Sequence, residues 1–130
     1  MTTPEHYESD VLFFFDGKPT ELALYQALER AMSARFPEAS VKVQKSQISF
    51  YHRHLFAAAS LPLRRRKEWP KECLLVTFGL SRRLSSPRIA VAVEPYPNRW
   101  THHVVVAREE EIDGELLDWL AEAYDFAAAK

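Results

Sequence analysis

The chain has 130 residues, a length that fits one domain, and 47% of them are hydrophobic, which is enough to bury a core. Its net charge of −1 is not that of a dedicated nucleic-acid binder, which is usually strongly basic. No apolar run of about eighteen residues occurs, so we expect no membrane span, and the acidic start lacks the basic beginning of a signal peptide. The single cysteine, Cys73, excludes an intramolecular disulfide and favours a reducing, cytoplasmic location.

Two helices are predicted at the start of the chain. In residues 3–17, Thr3 is a suitable N-cap, Pro4 fits the first helical position and Gly17 can end the helix. A strand over the apolar run "VLFFF" is the competing interpretation of these residues. The second helix begins at Pro19 and stops at Pro37. Its apolar stripe is formed by Leu22, Tyr25, Leu28, Met32 and Phe36.

A sheet is predicted from residue 41 onward, because the hydrophobic period changes from that of a helix to two. Four strands are indicated, or five if "IAVAVEPY" is included; the others are "VKVQKSQISFYHR", "HLFAAASLPL", "CLLVTFGL" and "THHVVVA". In the first of them the alternation slips between Val43 and Ile48, which indicates a bulge or turn near residues 45–46. Short polar connections between the strands predict an antiparallel meander.

The last segment, "REEEIDGELLDWLAEAYDFAAAK", is predicted to be a helix with an acidic first turn. Its apolar stripe is formed by Ile112, Leu116, Trp119, Ala123 and Phe126. Helices before and after the strands must cover one face of the sheet. The expected fold is therefore a single α+β domain over residues 1–130, with the N-terminal helices and the C-terminal helix packed on one face of the meander sheet.

Charge is distributed in blocks along the chain. Residues 1–40 have a net charge of −4, residues 41–108 of +10, and residues 109–130 of −7. Two interpretations of this pattern stay open. In the first, the acidic helices neutralise a basic sheet within the molecule; in the second, the sheet exposes a basic face that binds an anion.

The stretch "NRWTHHVVV" places two adjacent histidines at the start of a strand, where neighbouring side chains point to opposite faces. We therefore expect one histidine to pack against the helices and the other to join Arg99 on the open face. Arginine, tyrosine and tryptophan on such a face are typical of a binding surface, and an ordinary solvated sheet face is the alternative. The candidate binding residues are Lys45, Gln47, Tyr51, Arg53, Arg99, Trp100, His102 and His103.

Other chemistries have weaker support in the sequence. His52 and His54 would share a face of one strand and could hold a metal ion with His102 or His103, but no HExxH or CxxC pattern occurs. No nucleophile elbow or glycine-rich phosphate loop is present either. The basic run at residues 64–67 lies beside Trp69 and could hold nucleic-acid phosphates.

Four stretches resemble a small uncharacterised bacterial family, the domain of unknown function DUF5655. They are "VKVQKSQISF", "LLVTFGL", "YPNRWTHHVVV" and "LLDWLAEAYDFA", and the resemblance covers roughly residues 18–127, with "QKSQISF" and "RWTHH" its most specific parts. In that family the domain resembles a C-terminal piece of larger proteins, some labelled predicted transport proteins. The resemblance implies a compact α+β unit and supplies no catalytic residues.

Together these patterns favour a non-enzymatic binding or interaction module without a cofactor. Its basic sheet face would bind an anionic small molecule or an acidic protein segment. The acidic C-terminal helix of a second copy is one such segment, so a homodimer is a variant of this hypothesis. A small metal-binding or hydrolytic enzyme that uses the histidines, and a weak nucleic-acid binder that uses the loop at residues 64–67, are the alternatives.

Overall fold

The computed structural model describes residues 1–64 and 66–130, and it confirms the α+β class. The helices are α1 (Tyr7–Phe14), α2 (Pro19–Arg35) and α3 (Gly114–Ala128), with one 3₁₀ turn at Glu109–Glu111. The strands are β1 (Ser40–Val43), β2 (Ile48–His52), β3 (His54–Ser60), β4 (Leu74–Leu80), β5 (Ile89–Tyr96) and β6 (Arg99–Val106). In the part of the chain that is described, no helix is long and apolar enough to cross a membrane.

The six strands form one antiparallel sheet in the order β1-β2-β3-β4-β6-β5. The sixth strand arises because "VKVQKSQISFYHR" folds back on itself as β1 and β2, where the backbone N–H of Gln44 donates to the Gln47 carbonyl at 2.9 Å. The sheet follows chain order from β1 to β4. It then departs from a strict meander, because β6 lies between β4 and the edge strand β5.

The helices lie on one side of the sheet. Tyr25 of α2 stacks over Phe50 of β2 with ring centroids 6.5 Å apart, and Trp119 of α3 stacks over Phe78 of β4 at 6.1 Å. Phe50 and Phe78 belong to one row of the register, so both rings identify the same face of the sheet. We call this side the helix-facing side, and it contains the hydrophobic core.

Helix α1 begins later than the capping pattern predicts, and the competing strand over "VLFFF" does not form. The reason is a contact from outside the segment. The backbone N–H of Thr2 donates to the Ala39 carbonyl and the N–H of Val41 donates to the Thr2 carbonyl, which holds the first residues extended against β1. The helix can therefore start only after His6, which adopts a left-handed φ of 65°.

A buried hydroxyl pair fastens α1 to α2. Tyr7 donates its phenolic hydrogen to Oε2 of Glu29 at 2.5 Å, so the hydroxyl of Tyr25, also 2.5 Å from that of Tyr7, acts as the donor between the two phenols. Tyr25 has no solvent-exposed surface. Burial raises the pKa of both phenols, with the neighbouring Tyr25 adding to the effect on Tyr7, so both stay protonated at neutral pH.

We expect Tyr7→Phe to destabilise the protein more than Tyr25→Phe. The first change leaves the fully buried hydroxyl of Tyr25 without its partner, a loss of about 1–3 kcal/mol, whereas the second leaves Tyr7 still bonded to Glu29. Urea unfolding of the two single variants and the double variant measures the difference. An equal or larger loss for Tyr25→Phe would contradict the donor order given above.

Candidate binding face

The side of the sheet opposite the helices carries no helix, and we call it the open face. Because side chains alternate along each strand, the register defines rows that point to this side. One row crosses all six strands; it consists of Lys42, Ser49, Ala58, Thr77, His103 and Val91. The row is polar or small at most positions, unlike the aromatic and aliphatic rows of the helix-facing side.

His103 lies near the middle of the open face. Its Nδ1 is 2.8 Å from the hydroxyl oxygen of Thr77 on β4, which fixes the ring against the sheet. The side chain is half-buried, and burial lowers the pKa of the imidazole. His103 is therefore a mostly neutral ring at neutral pH, able to exchange hydrogen bonds with a partner placed on the face.

His102 occupies the opposite side of the same strand. It is fully buried, stacks on Phe78, and accepts a hydrogen bond at Nε2 from the backbone N–H of Leu84 at 3.0 Å. Burial lowers the pKa of His102, an effect partly opposed by the Phe78 backbone and reinforced by the charge of Arg82. The two histidines thus lie on opposite faces, and His102 serves the core rather than the open face.

Three of the predicted binding residues lie on β2 or at its two ends. Tyr51 is on the open face in the row next to Ser49, and the ammonium group of Lys42 lies 5.2 Å from its ring centroid. Gln47 donates to the hydroxyl of Ser49 at 2.8 Å, which uses part of its hydrogen-bonding capacity within the chain. Arg53 forms the turn between β2 and β3 at a positive φ of 67°, with its side chain exposed.

The other predicted residues are separated from this group. Arg99 begins β6 at the rim of the open face and is exposed. Trp100 pairs with Leu80 in a helix-facing row, and the Arg83 guanidinium lies 5.5 Å from its ring. Lys45 lies in the turn between β1 and β2 and lines a groove beside the sheet edge. The structure therefore places Tyr51, Arg53, Arg99 and His103 on the side of the open face and Gln47 at the start of β2, whereas Trp100, His102 and Lys45 lie elsewhere.

Part of the charge asymmetry is neutralised within the molecule. Four arginines pair with the acidic C-terminal segment: Arg30 with Glu109, Arg35 with Asp118, Arg82 with Glu122, and Arg88 with Asp113 and Glu115, at 2.7–3.5 Å. Only Arg82 and Arg88 belong to the basic block at residues 41–108. Both lie in the connection between β4 and β5, where their side chains reach the helix-facing side.

Among the described residues, no carboxylate belongs to the central row of the open face, and Glu68 and Glu111 line a groove with Val105 toward one end of it. Among all strand residues of the described chain, the single acidic one is Glu94, at the end of the edge strand β5, where its Oε2 accepts from the backbone N–H of Asn98 at 3.1 Å. Lys42, Arg53 and Arg99 stand around the face, and none of them has an ion pair with a carboxylate among the described residues. The face therefore combines small, polar and apolar side chains, with Ser49 and Ala58 buried, and has cationic residues at its rim.

The alternative sites do not assemble from the same residues. His52 and His54 lie on separate strands, paired across the turn, rather than on one face of a single strand as the sequence predicts. His52 is stacked on Tyr124 at 3.9 Å, and no group of three or more metal-ligating side chains occurs within the described ranges. Of the basic run at residues 64–67, Arg65 lies outside the described residues, and Arg66 lies 5.7 Å from the Trp69 ring that a base would need for stacking.

Sequence reasoning missed Thr77, the residue that orients His103. Its signal was the alternation in "LLVTFGL", where Leu75 and Thr77 have the parity opposite to the core residues Val76 and Phe78. It also missed the Tyr7–Tyr25–Glu29 network, because that network depends on how α1 crosses α2, which local periodicity does not contain.

A family comparison matches most of this architecture. The model of the family described as "Domain of unknown function (DUF5655)" matches residues 13–127, which include α2, all six strands and all but the last residue of α3. The chain belongs to this family. The match begins earlier than the resemblance at residue 18 indicated, and it adds no activity or ligand to the residues above. No curated protein and no solved structure matches the chain.

The two β6 histidines predict a loss of stability on mild acidification. Both have pKa values in the folded state below the ordinary value near 6.5, so the unfolded chain binds protons more readily. The two histidines contribute fully to the free energy of unfolding when the pH is above the ordinary histidine pKa. This contribution is lost as the pH falls from about 7 to about 5. Asp113 and Glu122, whose pKa values are lowered, keep their contribution until the pH approaches their ordinary values near 4.

Urea unfolding at several pH values in this window measures the effect. We expect His103→Gln to reduce the pH-dependent loss without abolishing it, because His102 still titrates. The exposed His54→Gln is the matched control for removing a histidine. A wild-type stability that rises toward pH 5 is incompatible with this account.

Proposed function

We propose that this protein is a non-enzymatic, cytoplasmic interaction module whose open face binds an acidic segment of a partner protein or another anionic group. The observation that carries the proposal is the distribution of charge on the two sides of the sheet. In the part of the chain that the structure describes, the open face has a cationic rim and no carboxylate in its central row, whereas five carboxylates of the C-terminal segment pair with arginines on the helix-facing side. An anionic partner is therefore favoured on the open face and repelled from the helices.

Each open-face residue has a specific part in this proposal. The exposed guanidinium groups of Arg53 and Arg99 offer paired donors that match a carboxylate or phosphate. Tyr51 presents a ring and a hydroxyl, which are suited to an interface that is partly apolar. His103, held by Thr77, adds a neutral ring that can accept or donate a hydrogen bond. The half-exposed Leu55 and Val93 supply apolar contact at the margins.

A second copy of the chain is one partner that this chemistry would allow. The outer surface of α3 is acidic, with exposed Glu115, Asp118 and Asp125. Two of these carboxylates already pair with Arg88 and Arg35 of their own chain. A homodimer through the open face would therefore compete with intramolecular ion pairs, which favours a separate acidic partner over self-association.

Charge reversal on the rim tests the proposal. We expect Arg53→Glu and Arg99→Glu each to weaken binding of a glutamate-rich peptide roughly tenfold, because each removes a charge-assisted contact and adds repulsion. Isothermal titration calorimetry at low and high salt is the measurement, and the affinity of the wild type should fall as salt is added.

Lys18→Glu is the matched control, because it makes the same change in net charge at the exposed start of α2, on the helix-facing side. If it weakens binding as much as the rim variants do, the peptide senses net charge alone and the open face is not the site. Absence of any binding to the wild type would also count against the proposal.

A further inference from the structure

An apolar groove lies at the end of β1, where the turn between β1 and β2 meets α1 and the chain that leaves β3. Its volume is about 460 Å³, and its apolar lining consists of Phe13, Phe14, Val43, Leu61 and Leu63. Phe13 is 84% exposed and Leu63 is 94% exposed. Single exposed apolar residues are common on protein surfaces, but two nearly bare ones that line the same groove indicate an interaction site.

The edge of β1 already accepts one extended segment. Thr2 pairs with it in parallel: the N–H of Thr2 donates to the Ala39 carbonyl at 2.9 Å, and the N–H of Val41 donates to the Thr2 carbonyl at 3.1 Å. Alternate residues of β1 point their backbone groups outward, and after Val41 the next such residue is Val43. Among the described residues, no further backbone hydrogen bond extends this edge, and Val43 lines the groove.

The charges around the groove favour an acidic occupant. Lys45 lines it, and exposed Arg64, Arg66 and Lys67 follow Leu63 in the connection between β3 and β4. Asp10 is the one carboxylate among the lining residues. The surroundings are therefore cationic, while the walls that an occupant would contact are aromatic and aliphatic.

We propose that this groove docks an extended segment of a partner protein whose apolar side chains alternate with acidic ones. The segment continues the edge of β1 where Thr2 leaves it and exchanges backbone hydrogen bonds with Val43. Its apolar side chains contact Phe13 and Leu63, and its carboxylates face the basic connection. This is addition of a strand to an exposed sheet edge, in which backbone bonds supply affinity and side-chain contacts supply specificity. The proposal does not depend on the open face, since the two surfaces share none of the residues tested.

Fluorescence anisotropy with a labelled peptide of alternating valine and glutamate tests the groove. We expect saturable binding, weakened roughly tenfold or more when Phe13→Ser and Leu63→Ser are combined, since both side chains contribute contact area. Leu12→Ser is the matched control, because Leu12 is an exposed apolar neighbour of Phe13 that does not line the groove. All of these side chains are exposed, so the variants should fold, and thermal melting verifies this.

The hydrogen-exchange rate of the Val43 backbone amide is a second measurement. Hydrophobic contact without backbone hydrogen bonding would leave this rate unchanged. The peptide should slow this exchange, and a peptide of the same composition with its glutamates grouped at one end should not. Failure of the alternating peptide to bind would overturn the proposal, as would equal binding by the Phe13/Leu63 variant. If sedimentation instead shows a wild-type dimer that the same variant abolishes, the occupant is a second copy, and the partner proposed here is wrong. Binding at the open face is tested separately, with the glutamate-rich peptide and the Arg53→Glu and Arg99→Glu variants, so failure of one proposal is distinguishable from failure of the other.

Discussion

The three helices of this protein all lie on one side of a six-stranded sheet, and side chains on a strand alternate between its two sides. One side of every strand is therefore committed to the core, and the other must be compatible with solvent or a partner. The two adjacent histidines of β6 show this consequence for a single pair of consecutive residues. One peptide bond separates His102, fully buried behind the sheet, from His103, which is held by Thr77 on the open face. The two residues do not differ in any local sequence property that would decide which one is buried. The side on which the helices pack decides it.

The same constraint organises the charges. Arginines in the connection between β4 and β5 reach the acidic surface of α3, and arginines of α2 reach the same segment. Such exposed ion pairs contribute little to stability. Their effect is on placement: they occupy carboxylates on the helix-facing side, and within the described ranges no carboxylate forms an ion pair with Lys42, Arg53 or Arg99.

Elements with a strong local signal were predictable from the sequence. The stripe from Leu22 to Phe36 and the one from Ile112 to Phe126 became α2 and α3, and the slip between Val43 and Ile48 became the turn that separates β1 from β2. The order of β5 and β6 was not predictable, since it depends on which strand pairs with β4. Likewise, the start of α1 was set by Thr2 bonding to a distant strand, which overrides a favourable capping pattern at Thr3.

The candidate site was predictable only in part, and for the same reason. The alternation along β2 places Tyr51 on the same side as Ser49. The parity of β6 could not indicate which histidine faces outward, and the position of Trp100 behind the sheet follows from its pairing with Leu80. Lys45 lies in the turn that the slip indicates, and from there it lines the groove at the end of β1 and not the open face. A side chain's residue type was thus a weaker guide than the register that places it.

Nuclear magnetic resonance mapping of an added glutamate-rich peptide tests the central claim most directly, because it reports where the peptide binds. The account predicts that the largest chemical-shift changes occur at Tyr51, Thr77, Arg99 and His103 on the open face, while the amide resonances of α2 and α3 do not shift. Shifts concentrated on the helices, or spread evenly over both sides of the sheet, would contradict it.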